Sequence, residues 1–274
     1  MTAEPRAPHG SAARTPLQLA TARNDRGMQD LLAAVGNTAA DAARILLDEN
    51  DPVVICTGFP VNGAPETDGP PGAFALADAL RSLGKSVGVA SWDRALQIFA
   101  KVRSDLSFLE VPVGRDGAGG PAARGAVVTI EVCGQCDDGS YRNMRGVNIG
   151  ASAPRFESVF GMRSIVSVGD GGNEFGMGSA PDSFFRKWRV MRPVSTTQCL
   201  VPAAVSNYGA YAIIKELERV SRRTLLPEPA GHLALIRALV TAGCVDGYTG
   251  KATLTVDGED IAETGRLLEE LDKL

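Results

Sequence analysis

Histidine is nearly missing from this chain, which has two, His9 and His232, in 274 residues. A catalytic triad would rest on His232, which lies in a helical pattern and has no Gly-x-Ser-x-Gly elbow to serve, so histidine-based catalysis is not expected. Aromatic residues make up 5% of the composition, and no apolar run approaches the ~20 residues a membrane helix needs. There is no basic excess either. Lys+Arg number 28 against 32 Asp+Glu, a net charge of −4, and that balance argues against a nucleic-acid partner. The five cysteines (Cys56, Cys133, Cys136, Cys199 and Cys244) are odd in number and scattered. They form no disulfide framework and favour a reducing, cytoplasmic setting. Cys133-Gly-Gln-Cys136 lacks the second pair, or the two histidines, of a structural zinc site, and reads as two loop thiols. At 44% hydrophobic and 22% charged, the chain falls in the globular range, which excludes collagen-like and wholly disordered classes.

Residues 1–25, rich in Ala, Pro, Arg and Thr, read as a disordered N-terminal tail ahead of one folded unit, 26–274. From Met28, the positions Leu31, Leu32, Val35, Ala39, Ala43 and Leu46 recur at helical spacing and predict one amphipathic helix. A repeated format follows, in which a β-branched run leads to a Gly-rich acidic loop and then to a helix. Val53-Val54-Ile55 precedes the loop 57–71 and a helix carrying Leu76, Leu80 and Leu83, with Gly84 placed to stop it. Ser86–Ala90, Val127–Val132 and Ile165–Val168 read as further strands, and 94–102, 207–222, 232–242 and 261–271 as helices. The Gly/Ala-rich stretch 114–125 reads as a flexible connection. Apolar strands alternating with helices predict an α/β fold, a mostly parallel sheet covered on both faces in three layers. Ligands in such sheets bind at the carboxyl ends of the strands, where the unusual loops of this chain gather.

Three loops carry chemistry. In Thr57–Gly72, glycines permit close backbone approach and Pro71 suits the first position of a helix whose amides favour an anionic oxygen, while Glu66 and Asp68 add carboxylates. Gly169–Gly178 is neither a P-loop nor a Gly-x-Gly-x-x-Gly fingerprint, so no nucleotide cofactor is expected. It offers Asp170, Asn173 and Glu174 as hard oxygen donors suited to Mg2+ or Mn2+. Asp137–Gly146 brings Arg142 and Arg145, which suit a substrate carboxylate through paired N–H donors. Lys251 is a candidate cation for a second carboxylate.

Taken together, these stretches resemble the D-glutamate cyclase-like C-terminal domain family. The matching segments are Thr57-Gly58-Phe59-Pro60, Gly63–Gly72 with its Glu-Thr-Asp-Gly-Pro-Pro-Gly, Tyr141–Gly146, Gly169–Gly178, Asn207–Tyr211 and Cys244–Gly247. The similarity spans roughly Met28 to Leu274. Where relatives are expected to read Glu-Arg-Pro-Gly, this chain reads Glu131-Val132-Cys133-Gly134. The resemblance implies a hydro-lyase interconverting D-glutamate with 5-oxo-D-proline and water, or acting on a related amino acid or lactam. The alternatives kept open are a non-catalytic binding domain for an acidic metabolite and a metal-dependent hydrolase. In the lyase reading, Glu66 or Asp68 takes the amine proton, Glu174 protonates the departing hydroxyl, and Asp170, with Asn173 and Glu174, holds the metal. Thr57, Gly58, Asn62 and Thr67 from the first loop complete the expected substrate contacts, together with Asn143, Gly171, Gly172 and Asn207. A membrane partner is not expected, and a homo-oligomer is left open.

Overall fold

β-branched runs spaced along the chain converge into one six-stranded sheet in a computed structural model that describes residues 14–22, 26–49, 52–114, 126–161 and 163–274. Its order is Ser107–Glu110, Val87–Ser91, Val53–Thr57, Ala126–Ile130, Arg163–Gly169 and Thr196–Pro202, and every neighbouring pair is parallel. Val53 stands opposite Val87 on one side and Ala126 on the other. The three-layer α/β expectation therefore holds. Both central strands are buried along their whole length, which is why they read as unbroken apolar runs and not as alternating ones.

Alternation reappears in where the side chains go. Val53 and Ile55 enter a large cluster with Phe74, Leu76, Phe99, Tyr211 and Ile214. Val54 and Cys56 point the other way, to Phe156, Val159 and Phe175. The first face carries the long helices Pro70–Ser82, Ser206–Ser221 and Pro229–Ala242. The second is closed by short ones, Phe156–Phe160 in one cluster and Met28–Val35 with Asp182–Trp188 in another. The chain builds outward from Val53–Thr57, then returns to add Ala126–Ile130 on its other side. That reversal opens a crevice above the carboxyl ends of the two strands.

Two expectations change. The helix predicted from Met28 is two helices, Met28–Val35 and Thr38–Asp48, broken at Gly36, whose φ is +81. The apolar period runs on across the break, so it conceals that the two halves pack into different clusters. The tail read over 1–25 is ordered where it is described. Thr15 and Gln18 form a capping box at the start of Pro16–Ala20, Leu17 is fully buried, and Ala204 N–H donates to the Ala20 carbonyl at 2.8 Å. Residues 1–13 and 23–25, and 115–125 of the expected flexible connection, lie outside the described residues. The strands Ser107–Glu110 and Thr196–Pro202 were not anticipated. Among the described residues no helix is long and apolar enough to cross a membrane.

Candidate active site

The crevice at the strand reversal is where the acidic turns meet. Glu66 follows the first central strand and is fixed by its own backbone, its N–H donating to the Phe59 carbonyl at 3.1 Å while Thr67 N–H donates to Val245 at 2.8 Å. Glu131 directly follows Ile130, and Asp170 directly follows Gly169. Asp257 arrives from the C-terminal turn and Arg26 from the N-terminal side. Glu66, Glu131, Asp170, Asn173, Asp257 and Arg26 all line one cavity of about 460 Å³. Three of its lining residues, Asn62, Glu131 and Asp257, have φ near +50 without being glycine. Strained backbone of this kind collects at sites whose geometry is held for use.

Two helix starts face each other beneath the cavity and exchange caps. Asn207 Oδ1 accepts from the Gly69 and Gly72 amides at 3.0 and 2.8 Å, and its Nδ2 donates to the Thr67 carbonyl at 3.1 Å. In return Asp68 accepts from the Ser206 and Asn207 amides, each at 2.8 Å, and from Gly69 at 2.8 Å. The amides expected to greet a ligand's anionic oxygen at the Pro70 helix are thus taken by Asn207. Glu174 is similarly enclosed: its two oxygens accept from the amides of Asp170, Gly171 and Gly172 at 3.2, 2.6 and 2.7 Å. Both oxygens of Glu174 are thus engaged by the backbone of the turn that carries Asp170.

Charge in the cavity is lopsided. Asp68, Asp170 and Asp257 bring carboxylate oxygens within 4.8 Å of one another, and so do Glu131, Asp170 and Glu174. Against them stands Arg26, whose Nη2 donates to Asp170 Oδ2 and to the Ala204 carbonyl, both at 2.8 Å, and also to Asp257. Burial alone would lower the Arg26 pKa, but Asp170 and Asp257 drive it above its ordinary value. Burial raises Glu66 well above a normal glutamate, and the charges of Glu131, Asp257 and Asp68 add to it. Burial also raises Glu131, with Glu174 and Asp68 beside it, and Asp170, in spite of Arg26. Asp68 is pushed up to about 7, by burial first and by Asp257 second, in spite of its amide donors. Carboxyl groups raised in this way are suited to exchange protons with a ligand in the cavity.

Among the sequence-predicted residues, Glu66, Asn62, Asn143, Arg145, Asp170 and Asn173 line the cavity. Asp68, Thr67, Asn207, Gly171, Gly172 and Glu174 lie behind it and shape it; Thr67 Oγ1, for example, donates to the Thr255 carbonyl at 2.8 Å. Thr57 is fully buried, and the Gly58 carbonyl is taken by Trp92 Nε1 at 2.8 Å. Arg142 is turned to Ser140 Oγ, the Gly146 carbonyl and Asp138, and Arg145 Nη2 donates to the Tyr248 carbonyl at 2.7 Å. Lys251 is exposed and lies outside the lining. Sequence reasoning missed Arg26, Glu131 and Asp257 as site residues. The signals for Glu131 were a charge within the apolar run Val127–Val132 and its place at the head of the stretch set against Glu-Arg-Pro-Gly. The five cysteines are free and buried, and His232 is in the core with its Nε2 2.6 Å from Tyr211 Oη.

A match to the family described as "D-glutamate cyclase-like, C-terminal" covers residues 18–272, nearly all of the chain. The chain belongs to this family. Among curated proteins, the human mitochondrial D-glutamate cyclase is 33% identical over 205 residues, 62% of this chain. The aligned region is 33% of that relative, so the chain matches about a third of its length. Among solved structures, an exopolyphosphatase-related protein from Bacteroides fragilis aligns over 87% of this chain and 57% of its own, at 11% identity and a TM-score of 0.41.

Proposed function

We propose that this domain is a hydro-lyase of the D-glutamate cyclase type, closing D-glutamate to 5-oxo-D-proline with loss of water and opening the lactam in reverse. The observation that carries the reading is the convergence of Glu66, Glu131, Asp170 and Arg26 on one cavity at the strand reversal. Family membership and the likeness to a D-glutamate cyclase support the choice of substrate.

From the neutral amine and the protonated γ-carboxyl, ring closure joins the α-nitrogen to the γ-carboxyl carbon and breaks one C–O bond, so the nitrogen must lose one proton and the departing hydroxyl must gain one to leave as water. Glu66, at the open cavity, takes the amine proton. Glu131, raised by burial and by the neighbouring charges of Glu174 and Asp68, gives a proton to the departing hydroxyl. Arg26, fixed by Asp170 and Asp257 through Nη2, turns its remaining N–H groups to the substrate's α-carboxylate, the role the sequence suggested for Arg142 or Arg145. Holding both reacting groups of one molecule in one cavity lowers the entropic cost of cyclisation.

The residues present also fit a divalent cation. Asn173 Oδ1 is buried without a hydrogen-bond partner, and Glu131, Asp170 and Glu174 bring oxygens together beside it. Asp170, Asn173 and Glu174 would hold Mg2+ or Mn2+, leaving Glu131 to its proton transfer. Such an ion supplies Lewis-acid polarisation of a carboxyl oxygen.

The test is chiral chromatography of D-glutamate and 5-oxoproline after incubation with the purified chain, with manganese and with a chelator. The expected result is interconversion that falls about 10²–10⁴-fold in Glu66→Gln. A ligand-induced rise in melting temperature with no product under any cation would make the domain a metabolite receptor. Turnover of amides or phosphoesters without lactam formation would make it a hydrolase.

A further inference from the structure

A second cavity, of about 960 Å³, lies on the far side of the Tyr141–Ala151 loop. Asn143, Arg145 and Ile149 of this loop line the acidic cavity, whereas Tyr141, Asn148 and Gly150 line the second, and no described residue lines both. Three polar atoms belonging to its lining are buried without a hydrogen-bond partner: Tyr141 Oη, Arg155 Nη1 and Glu157 Oε2. Tyr141 is fully buried, with the Arg155 guanidinium stacked 4.2 Å above its ring. Arg155 is held in place from its other side, Nε donating to the Gly114 carbonyl at 2.7 Å and Nη2 to Gly150 at 3.0 Å, so one edge of the fork is left over. Arg155 and Glu157 are two residues apart and make no ion pair with each other. Buried donors and acceptors are normally paired, so three orphans on residues that line one space ask for a partner that no described residue supplies.

The chemistry of the three narrows the ligand. A cation is opposed by Arg155, and a dianion such as phosphate by Glu157. An apolar molecule would leave all three unpaired. A monoanionic carboxylate fits Arg155 Nη1 and Tyr141 Oη, and an N–H or O–H donor on the same molecule fits Glu157 Oε2. We propose that this cavity is a second small-molecule site, built for a monocarboxylate that carries a neighbouring hydrogen-bond donor. The proposal does not depend on the cyclase reading of the acidic cavity.

The probe is 5-oxoproline, a monocarboxylate with a ring N–H, titrated calorimetrically into the full chain carrying Glu66→Gln to weaken binding at the acidic cavity. Adding Tyr141→Phe or Arg155→Lys is expected to weaken the measured affinity about tenfold each, the effect of losing a hydrogen bond to a charged group. N-methyl-5-oxoproline, which lacks the donor, and 5-oxoprolinamide, which lacks the carboxylate, should bind weakly in the same way. Tyr141→Phe keeps the ring and removes only the orphaned hydroxyl, so the unliganded melting temperature should stay level or rise; a structural role alone would lower it. The proposal is overturned if 5-oxoproline does not bind the Glu66→Gln chain, or if it binds with an affinity indifferent to Tyr141 and Arg155. Neither result bears on turnover by the unsubstituted chain.

Discussion

Below the carboxyl ends of the central strands, Val53, Ile55, Val128, Ile130, Val166 and Val168 pack against Phe74, Tyr211 and Ile214 in a cluster of apolar side chains. At the ends of the same strands, Glu131 and Asp170 crowd with Glu66, Asp68 and Asp257 around one arginine. The floor gains from burial at every position. The rim buries charge, tolerates positive φ at three non-glycine residues, and leaves Asn173 Oδ1 unpaired. Each of these features costs stability, and each is retained in a place that can hold a substrate. The difference teaches that this fold is secured from beneath, and that the rim is free to be arranged for chemistry.

The largest effect should therefore come from the floor. Phe74 is fully buried, packs edge-on to Phe99 at a centroid distance of 5.3 Å, and lies 5.6 Å below the Arg103 guanidinium. Phe74→Ala should cost about 3–5 kcal/mol in urea unfolding, the range for emptying an aromatic site in a core. A loss below about 1 kcal/mol would mean that the floor is not what holds the molecule together. Next comes the seam between the two regions. Asn207→Ala strands the Gly69 and Gly72 amides and the Thr67 carbonyl in a buried place, and should cost about 2–3 kcal/mol. It should also lower any turnover, because Asp68 and Glu66 ride on the same turn. Full stability in Asn207→Ala would show that the exchanged caps do not join rim to floor.

Much of the floor was legible, because β-branched runs and helical spacing report burial residue by residue. Val53–Ile55, Ile165–Val168 and the helix around Tyr211 were readable for that reason. Gly36 shows where the method fails: the apolar period passes through a break that only its positive φ reveals. At the rim, acids in glycine-rich loops after strands marked Glu66, Asp68, Asp170 and Glu174, since residue type and loop position are both local. Arg26 and Asp257 were hidden because their roles depend on the two ends of the chain meeting across the sheet. Arg142 and Arg145 are the opposite case: Arg145 lines the cavity, whereas Arg142 is outside the lining. Their charge is visible in the sequence, but Asp138, Ser140 and Tyr248, which occupy them, become visible as partners only after folding.

The smallest effect sharpens the comparison through pH, because the two regions titrate with opposite signs. In the floor, burial lowers His232 from 6.5 to about 4. The unfolded chain then binds the extra proton in that window, so the stability His232 contributes is present above 6.5 and lost as pH falls toward 4. In the rim, Asp68 is raised from 3.8 to about 7, and Glu66 is raised well above 4.5. There the folded state binds the extra proton, and stability present at low pH is lost as pH rises through those folded values. Between about pH 4 and 6.5 the floor and the rim oppose each other, while above 6.5 His232 is silent and the rim alone bends stability downward. His232→Gln should therefore remove the opposing rise, of about 3 kcal/mol at most, and make stability fall with pH across the acidic window. Glu66→Gln should flatten the fall from about pH 4.5 upward, on both sides of 6.5. Melting curves of the three proteins across this range separate floor from rim, since groups remote from both substitutions cancel and the neighbours of Glu66 move with it. An alkaline limb that Glu66→Gln leaves unchanged would mean that Glu66 carries no proton in the folded chain, and the rim would then have to balance its charge through Arg26 or a bound cation.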